Sequence, residues 1–166
     1  MSLKIKKTWG TDGGDYDCIE YTITIPFKNT LVYKYPYGHK ITKKEEQKYK
    51  NILIKNTPKT EKILEYGFNS YANSSLKTVT FFLNTKPIKH IKKEQEIINK
   101  LKNTKYQQTH GREYNSINEN GYIRLTNIPL NEQNINKIMK ILNGETWYLG
   151  HIPYDGYYLR IKLKEI

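Results

Sequence analysis

Cysteine occurs once in this 166-residue chain, at Cys18, so no intramolecular disulfide framework, Cys-rich zinc ribbon or iron–sulfur site can be built from it. Apolar residues never run on for the eighteen or so positions that a membrane-spanning helix needs. The opening Met1-Ser-Leu-Lys-Ile-Lys-Lys carries lysine but no apolar stretch behind it, which argues against a secretory leader and for a cytoplasmic location. Arginine is scarce, with only Arg112, Arg124 and Arg160. The four histidines, His39, His90, His110 and His151, are too far apart for His-x-His or His-x-x-x-His, and this disfavours zinc sites and two-histidine phosphodiesterases. No Gly-x-x-x-x-Gly-Lys-Ser/Thr loop is present, so a P-loop nucleotidase is excluded at the level of motif. Nothing in the sequence asks for a cofactor.

Lysine and tyrosine are abundant. Lys and Arg together number 28 against 16 acidic residues, giving a net charge of +12, and there are 15 Tyr. A chain this rich in aromatic and β-branched residues is not a disordered polyelectrolyte, and its length suits one domain, residues 1–166. Substructure is legible within it as an N-terminal part (1–88) and a strand-helix-strand-strand part (121–166). The positive field draws polyanions, nucleic acid being the commonest. Combined Lys, Asn, Ile and Tyr usage also matches an A/T-biased coding sequence, which accounts for much of the lysine without any function.

Periodicity predicts an α+β fold: a mainly antiparallel sheet of six or seven strands with three or four helices packed on one side. Cys18-Ile-Glu-Tyr-Thr-Ile-Thr-Ile25 alternates cleanly, with residues 3–9 before it and 30–35 after it as neighbouring strands. Thr42 and Glu45 form a capping-box pair that opens a helix to about Ile54, with Tyr49, Ile52 and Leu53 facing inward. Thr57-Pro58 predicts a second helix stopped near Gly67. Residues 76–83 read as a central strand and 90–102 as a helix with Ile97, Ile98 and Leu101 inside. Residues 103–120 read as the longest loop. Strand 121–126, a helix capped by Asn131 with a Leu130–Ile135 staple and a Gly144 stop, and strands 146–149 and 157–164 complete the chain.

Four constellations bear on chemistry. Tyr122 and Arg124 share one face of their strand; Tyr158, Arg160 and Lys162 share one face of theirs. Flat rings beside cationic groups stack bases and hold phosphates in sheet-based binders of single-stranded RNA. Lys92 and Lys93 on the helix before them would add a phosphate track. The structural alternative is an ordinary solvent face of an antiparallel sheet. Within Thr109–Ser116, His110, Tyr114 and Arg112 supply the base, acid and cation that a metal-independent ribonuclease requires, and a polar surface loop supplies them too. Asp12, Asp15 and Asp17, with Glu20, make the one acidic cluster; hard cations favour such oxygens, and turns favour the same residues.

Tyr122-Ile-Arg-Leu-Thr-Asn-Ile-Pro129 loosely resembles the first strand of an RNA-recognition motif, and the strand–helix–strand–strand order after it agrees. Asp155-Gly-Tyr-Tyr-Leu-Arg-Ile-Lys lacks that family's Gly-aromatic-Gly-Phe signature, and the sequence ends before a second helix and fourth strand. The resemblance implies a ferredoxin-like C-terminal half, completed by earlier strands. The functional expectation is a non-enzymatic binder of RNA or single-stranded nucleic acid. Its alternative is a small viral or mobile-element protein that blocks a host protein or nucleoprotein, with exposed tyrosines as contact area.

Overall fold

Alternation in β2 (Ile19–Pro26) puts Ile19, Tyr21 and Ile23 on a buried face, and strands pair with it on both edges. The computed structural model describes residues 4–10, 17–26, 42–71, 78–108, 115–152 and 156–166. On one side β2 meets β1 (Ile5–Trp9) antiparallel, Ile5 opposite Ile23 and Trp9 opposite Ile19. On the other it meets β4 (Thr78–Pro87), Tyr21 opposite Leu83 and Ile23 opposite Phe81. With β3 (Glu61–Tyr71) outermost, the sheet order is β1-β2-β4-β3. The predicted strand at 30–35 lies outside the described residues.

Helix α1 (Lys43–Lys55) begins where the capping pair requires. The Thr42 hydroxyl accepts the Glu45 N–H at 3.2 Å and donates to the Glu45 carboxylate at 3.0 Å. Its inner face delivers Leu53, fully buried, and Tyr49, whose ring stacks on Phe81 at 4.6 Å. Leu53, Ile23, Phe81 and Leu83 thereby form one dry cluster under the helix.

The helix expected over 57–67 is instead a turn followed by β3. Asn56 ends α1, and the Glu61 N–H reaches the Pro58 carbonyl at 3.1 Å, so Pro58 opens a single turn. Beyond it Ile63, Tyr66 and Phe68 favour an extended chain. Gly67 is not a helix stop. It leaves room for the Phe82 ring of the adjacent strand, which a Cβ there would approach to 2.7 Å.

The chain divides into two compact units, the second built from Pro87–Ile166 together with the short segment Asp15–Asp17. It contains α2 (Ile88–Leu101), β5 (Tyr122–Leu125), α3 (Glu132–Leu142), β6 (Gly144–Ile152) and β7 (Gly156–Leu163). Its sheet order is β5-β7-β6, with both pairings antiparallel. Hence β5 and β6, joined through α3, run parallel with β7 between them. Among the described residues seven strands and three helices make an α+β arrangement, but these strands form two separate sheets of four and three, and the described strands of the first sheet do not complete the later one.

Ile123, Leu125, Leu159, Ile161 and Leu163 line one face of the second sheet and pack with Ile97 and Leu101 of α2 and Ile135, Ile138 and Leu142 of α3. Asn131 caps α3, its side chain accepting the Asn134 N–H at 2.9 Å. The left-handed residue ending α3 is Asn143 (φ 52°), one place before the expected Gly144. A Cβ on Gly144 would stand 2.7 Å from both Ile161 Cγ2 and Met139 Sδ, so close packing is what requires glycine there. Leu130 stays 37% exposed, while Ile128 enters the core in its place.

The expected long loop at 103–120 contributes two side chains to the core among its described residues, Tyr106 and Ile117. Ile117 is fully buried and bridges Ile123, and its N–H reaches the Glu94 carboxylate at 3.2 Å. Buried Tyr106 donates its hydroxyl to Asn134 Oδ1 at 2.7 Å. The Gln108 amide does the work of a ladder partner, accepting the Thr126 N–H at 2.9 Å and donating to the Thr126 carbonyl at 3.0 Å. Polar side chains replace backbone pairing here, which is why the segment carries no periodicity.

Candidate functional site

The register of the second sheet gathers the sequence-derived candidates on the face opposite its helices. Tyr122 stands opposite Lys162, and Arg124 opposite Arg160. From the other edge, Thr146 stands opposite Lys162, Tyr148 opposite Arg160 and Gly150 opposite Tyr158. One face therefore presents Tyr122, Arg124, Tyr158, Arg160 and Lys162, together with Tyr148.

Tyr148 is the member that sequence reasoning did not place. Its signal was the strand 146–149, but which of its faces joins Tyr158 and Arg160 depends on a register that includes a shift between Gly144 and Thr146.

The rings organise the cations. Tyr158 has the Arg124 guanidinium 4.5 Å from its centroid and that of Arg160 at 5.3 Å, so one ring faces two positive groups. Gly150 makes this arrangement possible, since a Cβ there would collide with the Tyr158 ring. Tyr122 and Tyr148, from the two outer strands, meet edge-to-face at 5.2 Å, and so reach across the middle strand.

Under these rings the face is not wet. Arg124 is 9% exposed and Arg160 3%, and each makes at least one further interaction. Their guanidinium groups are therefore largely withdrawn from solvent. Tyr122, Tyr158 and Lys162 are half-buried, and Tyr148 is 43% exposed. What the face offers to a ligand is ring and ammonium, with guanidinium beneath.

Lys92 and Lys93 do not join it. They lie on α2, which packs through Ile97 and Leu101 against the other face of the sheet. Lys92 is exposed, and Lys93 and Lys100 hold Glu96 at 3.3 and 3.1 Å. Hydrogen bonds from Lys100 and Lys93 lower the pKa of the Glu96 carboxyl. This cluster neutralises part of the proposed phosphate track.

A second polar cluster, which sequence reasoning missed, lies in the first unit. The Glu61 carboxylate, with its side chain 5% exposed, accepts the Tyr21 hydroxyl at 2.8 and 3.0 Å and the Thr85 hydroxyl at 2.6 Å, with Lys7 Nζ at 3.9 Å. Burial, and then the hydrogen bond and charge of Glu61, push the Tyr21 phenol well above its ordinary pKa. The four residues come from four strands, and no sequence spacing announces them.

His110, Arg112 and Tyr114, the ribonuclease candidates, lie outside the described residues, as do Asp12 and Asp15. Asp17 is described, and among the described residues no three metal-ligating side chains converge. No helix among the described residues is long and apolar enough to cross a membrane. No family model, no curated protein and no solved structure matches this chain at a significant level.

Proposed function

We propose that this chain binds RNA or another single-stranded nucleic acid on the Tyr122–Tyr148–Lys162 face of its second sheet. The observation that carries the reading is the aromatic pair laid across β7, with cationic side chains under and beside it. Exposed ring surface accepts any base by stacking, and Lys162 is placed to meet the adjoining phosphate. Arg124 and Arg160 serve here as positioning residues: they hold the Tyr158 ring and raise the local positive potential without touching the strand. A net charge of +12 speeds the approach of any polyanion. The connectivity β5-α3-β6-β7 with order β5-β7-β6 corresponds to half of a ferredoxin-like sheet, and one module of that general kind stacks bases on its open face. The reading needs no cofactor and no catalytic step.

A second reading, a protein that blocks a host protein or nucleoprotein, is favoured by a different observation. Trp147, Leu149 and Tyr157 are 43%, 44% and 64% exposed. Such exposed apolar side chains, two of them aromatic, suit a protein interface. Fluorescence anisotropy with labelled single-stranded RNA, single-stranded DNA and duplex DNA over a salt series separates the two. Binding that prefers single strands and survives near-physiological salt supports the first reading. Weak binding, indifferent to polymer and lost with modest salt, contradicts it and assigns the charge to composition.

A further inference from the structure

Strand β6 has one hydrogen-bonding edge in use. It pairs with β7, and among the described residues nothing pairs with its other edge, whereas the outer side of β5 receives the bridge from Ile117. Exposed edges are normally guarded by lysine, proline or brevity. β6 is nine residues long, Gly-Glu-Thr-Trp-Tyr-Leu-Gly-His-Ile, and contains no lysine, arginine or proline. In a chain of net charge +12 this strand carries a single formal charge, and it is negative.

From this edge we propose that a second copy of the chain docks on β6, antiparallel, about a two-fold axis at Tyr148. The strand is complementary to itself in that register. Tyr148 is its middle residue, so the regular stretch from Thr146 to Gly150 overlaps in full, short of the register shift between Gly144 and Thr146. Trp147 of each copy falls opposite Leu149 of the other, joining two apolar side chains that are 43% and 44% exposed in the single chain. Thr146 falls opposite Gly150, and Glu145, beside the register shift, comes near His151 of the other copy, a carboxylate and an imidazole N–H being hydrogen-bond complements. Cross-strand apolar pairs of this kind are what fix antiparallel register. A self-complementary patch is also what a two-fold interface requires. The proposal uses the Trp147–Leu149 side of β6 and its backbone edge. It does not rest on nucleic-acid binding, although the resulting six-stranded sheet would carry both Tyr122–Tyr148 faces on one side.

Sedimentation velocity on the nuclease-treated full chain over a concentration series tests this without any ligand. The wild type is expected to shift from monomer to dimer as concentration rises. Leu149→Lys, which replaces the apolar partner of Trp147 with a charged side chain that pairing would desolvate and brings like charges of the two copies together near the axis, is expected to remain monomeric with an unchanged circular dichroism spectrum. Tyr148→Cys in a Cys18→Ser background provides an independent reading, because directly opposed residues of an antiparallel pair lie within disulfide reach. It is expected to oxidise to a covalent dimer. A wild type that stays monomeric throughout overturns the proposal. So does a dimer in which the thiols introduced at position 148 fail to join, since its contact must then lie elsewhere. Should Leu149→Lys fail to fold, the oxidation result decides alone. Because no nucleic acid is present, failure here leaves the anisotropy result standing.

Discussion

The Arg124 guanidinium sits 4.5 Å from the centre of the Tyr158 ring, two side chains from neighbouring strands that brace one another on the sheet face away from the helices. A cation held over a ring in partly dry surroundings contributes about 1–2 kcal/mol. Tyr158→Ala is therefore expected to lower stability by about 1–3 kcal/mol in chemical denaturation, and Tyr158→Phe by much less. Gly150→Ala should reproduce part of the loss although it only adds a methyl group, because the ring cannot keep its place above a Cβ.

Ligand contact and ring support separate by mutation. Tyr122→Ala and Tyr148→Ala should each weaken single-stranded RNA binding by about 1–3 kcal/mol, the worth of one stacked base. Melting temperature should move less for Tyr148, the more exposed ring. Lys162→Ala should reduce the salt slope of binding by about one. Lys92→Ala and Lys93→Ala, on the opposite layer, are expected to leave the preference for single strands unchanged in the same anisotropy titration.

Alkaline pH should expose the Glu61 cluster. Burial and Glu61 keep the Tyr21 phenol protonated in the fold at pH values where an unfolded tyrosine, near 10, has released its proton. The stability it supplies is complete below pH 10 and falls as pH rises beyond, at up to about 1.4 kcal/mol per pH unit. Tyr66, pushed up to about 12 by burial and the charge of Glu46, acts in the same sense. Tyr21→Phe should flatten the pH dependence of denaturant unfolding above pH 10 while costing about 1 kcal/mol at neutral pH. An equally steep alkaline loss in the variant would contradict the assignment.

Tyr106 and Asn134 link the irregular segment to α3 by one buried hydrogen bond of 2.7 Å. Tyr106→Phe leaves the Asn134 oxygen without that donor and is expected to cost about 1–3 kcal/mol. Hydrogen exchange should then show faster opening around Ile117 with little change in β1–β4.

The features legible in the sequence were those written in local chemistry. Thr42 with Glu45 marked the start of α1, Asn131 marked α3, and period-two alternation marked β2 and β7, because each is decided by neighbours a few residues away. The fate of residues 57–67 was not, since Pro58 opens a turn as readily as a helix, and Gly67 is explained by Phe82 of another strand. Division into two sheets was hidden for the same reason: alternation reports a buried face, not which strands share it. Alternation put Tyr122 with Arg124 on one strand face and Tyr158 with Arg160 and Lys162 on another, but that the two sets meet, and that both arginines lie buried against the Tyr158 ring, is a matter of register. The Glu61 cluster draws on four strands and had no sequence signal at all.

Photo-crosslinking of the full chain to thiouridine-substituted single-stranded RNA at near-physiological salt, followed by peptide mapping, tests the nucleic-acid reading most directly. The account predicts adducts concentrated on Tyr122 and Tyr148, lost when unlabelled RNA competes. Adducts confined to the lysine-rich helices α1 and α2, or none above the level given by duplex DNA, would contradict it.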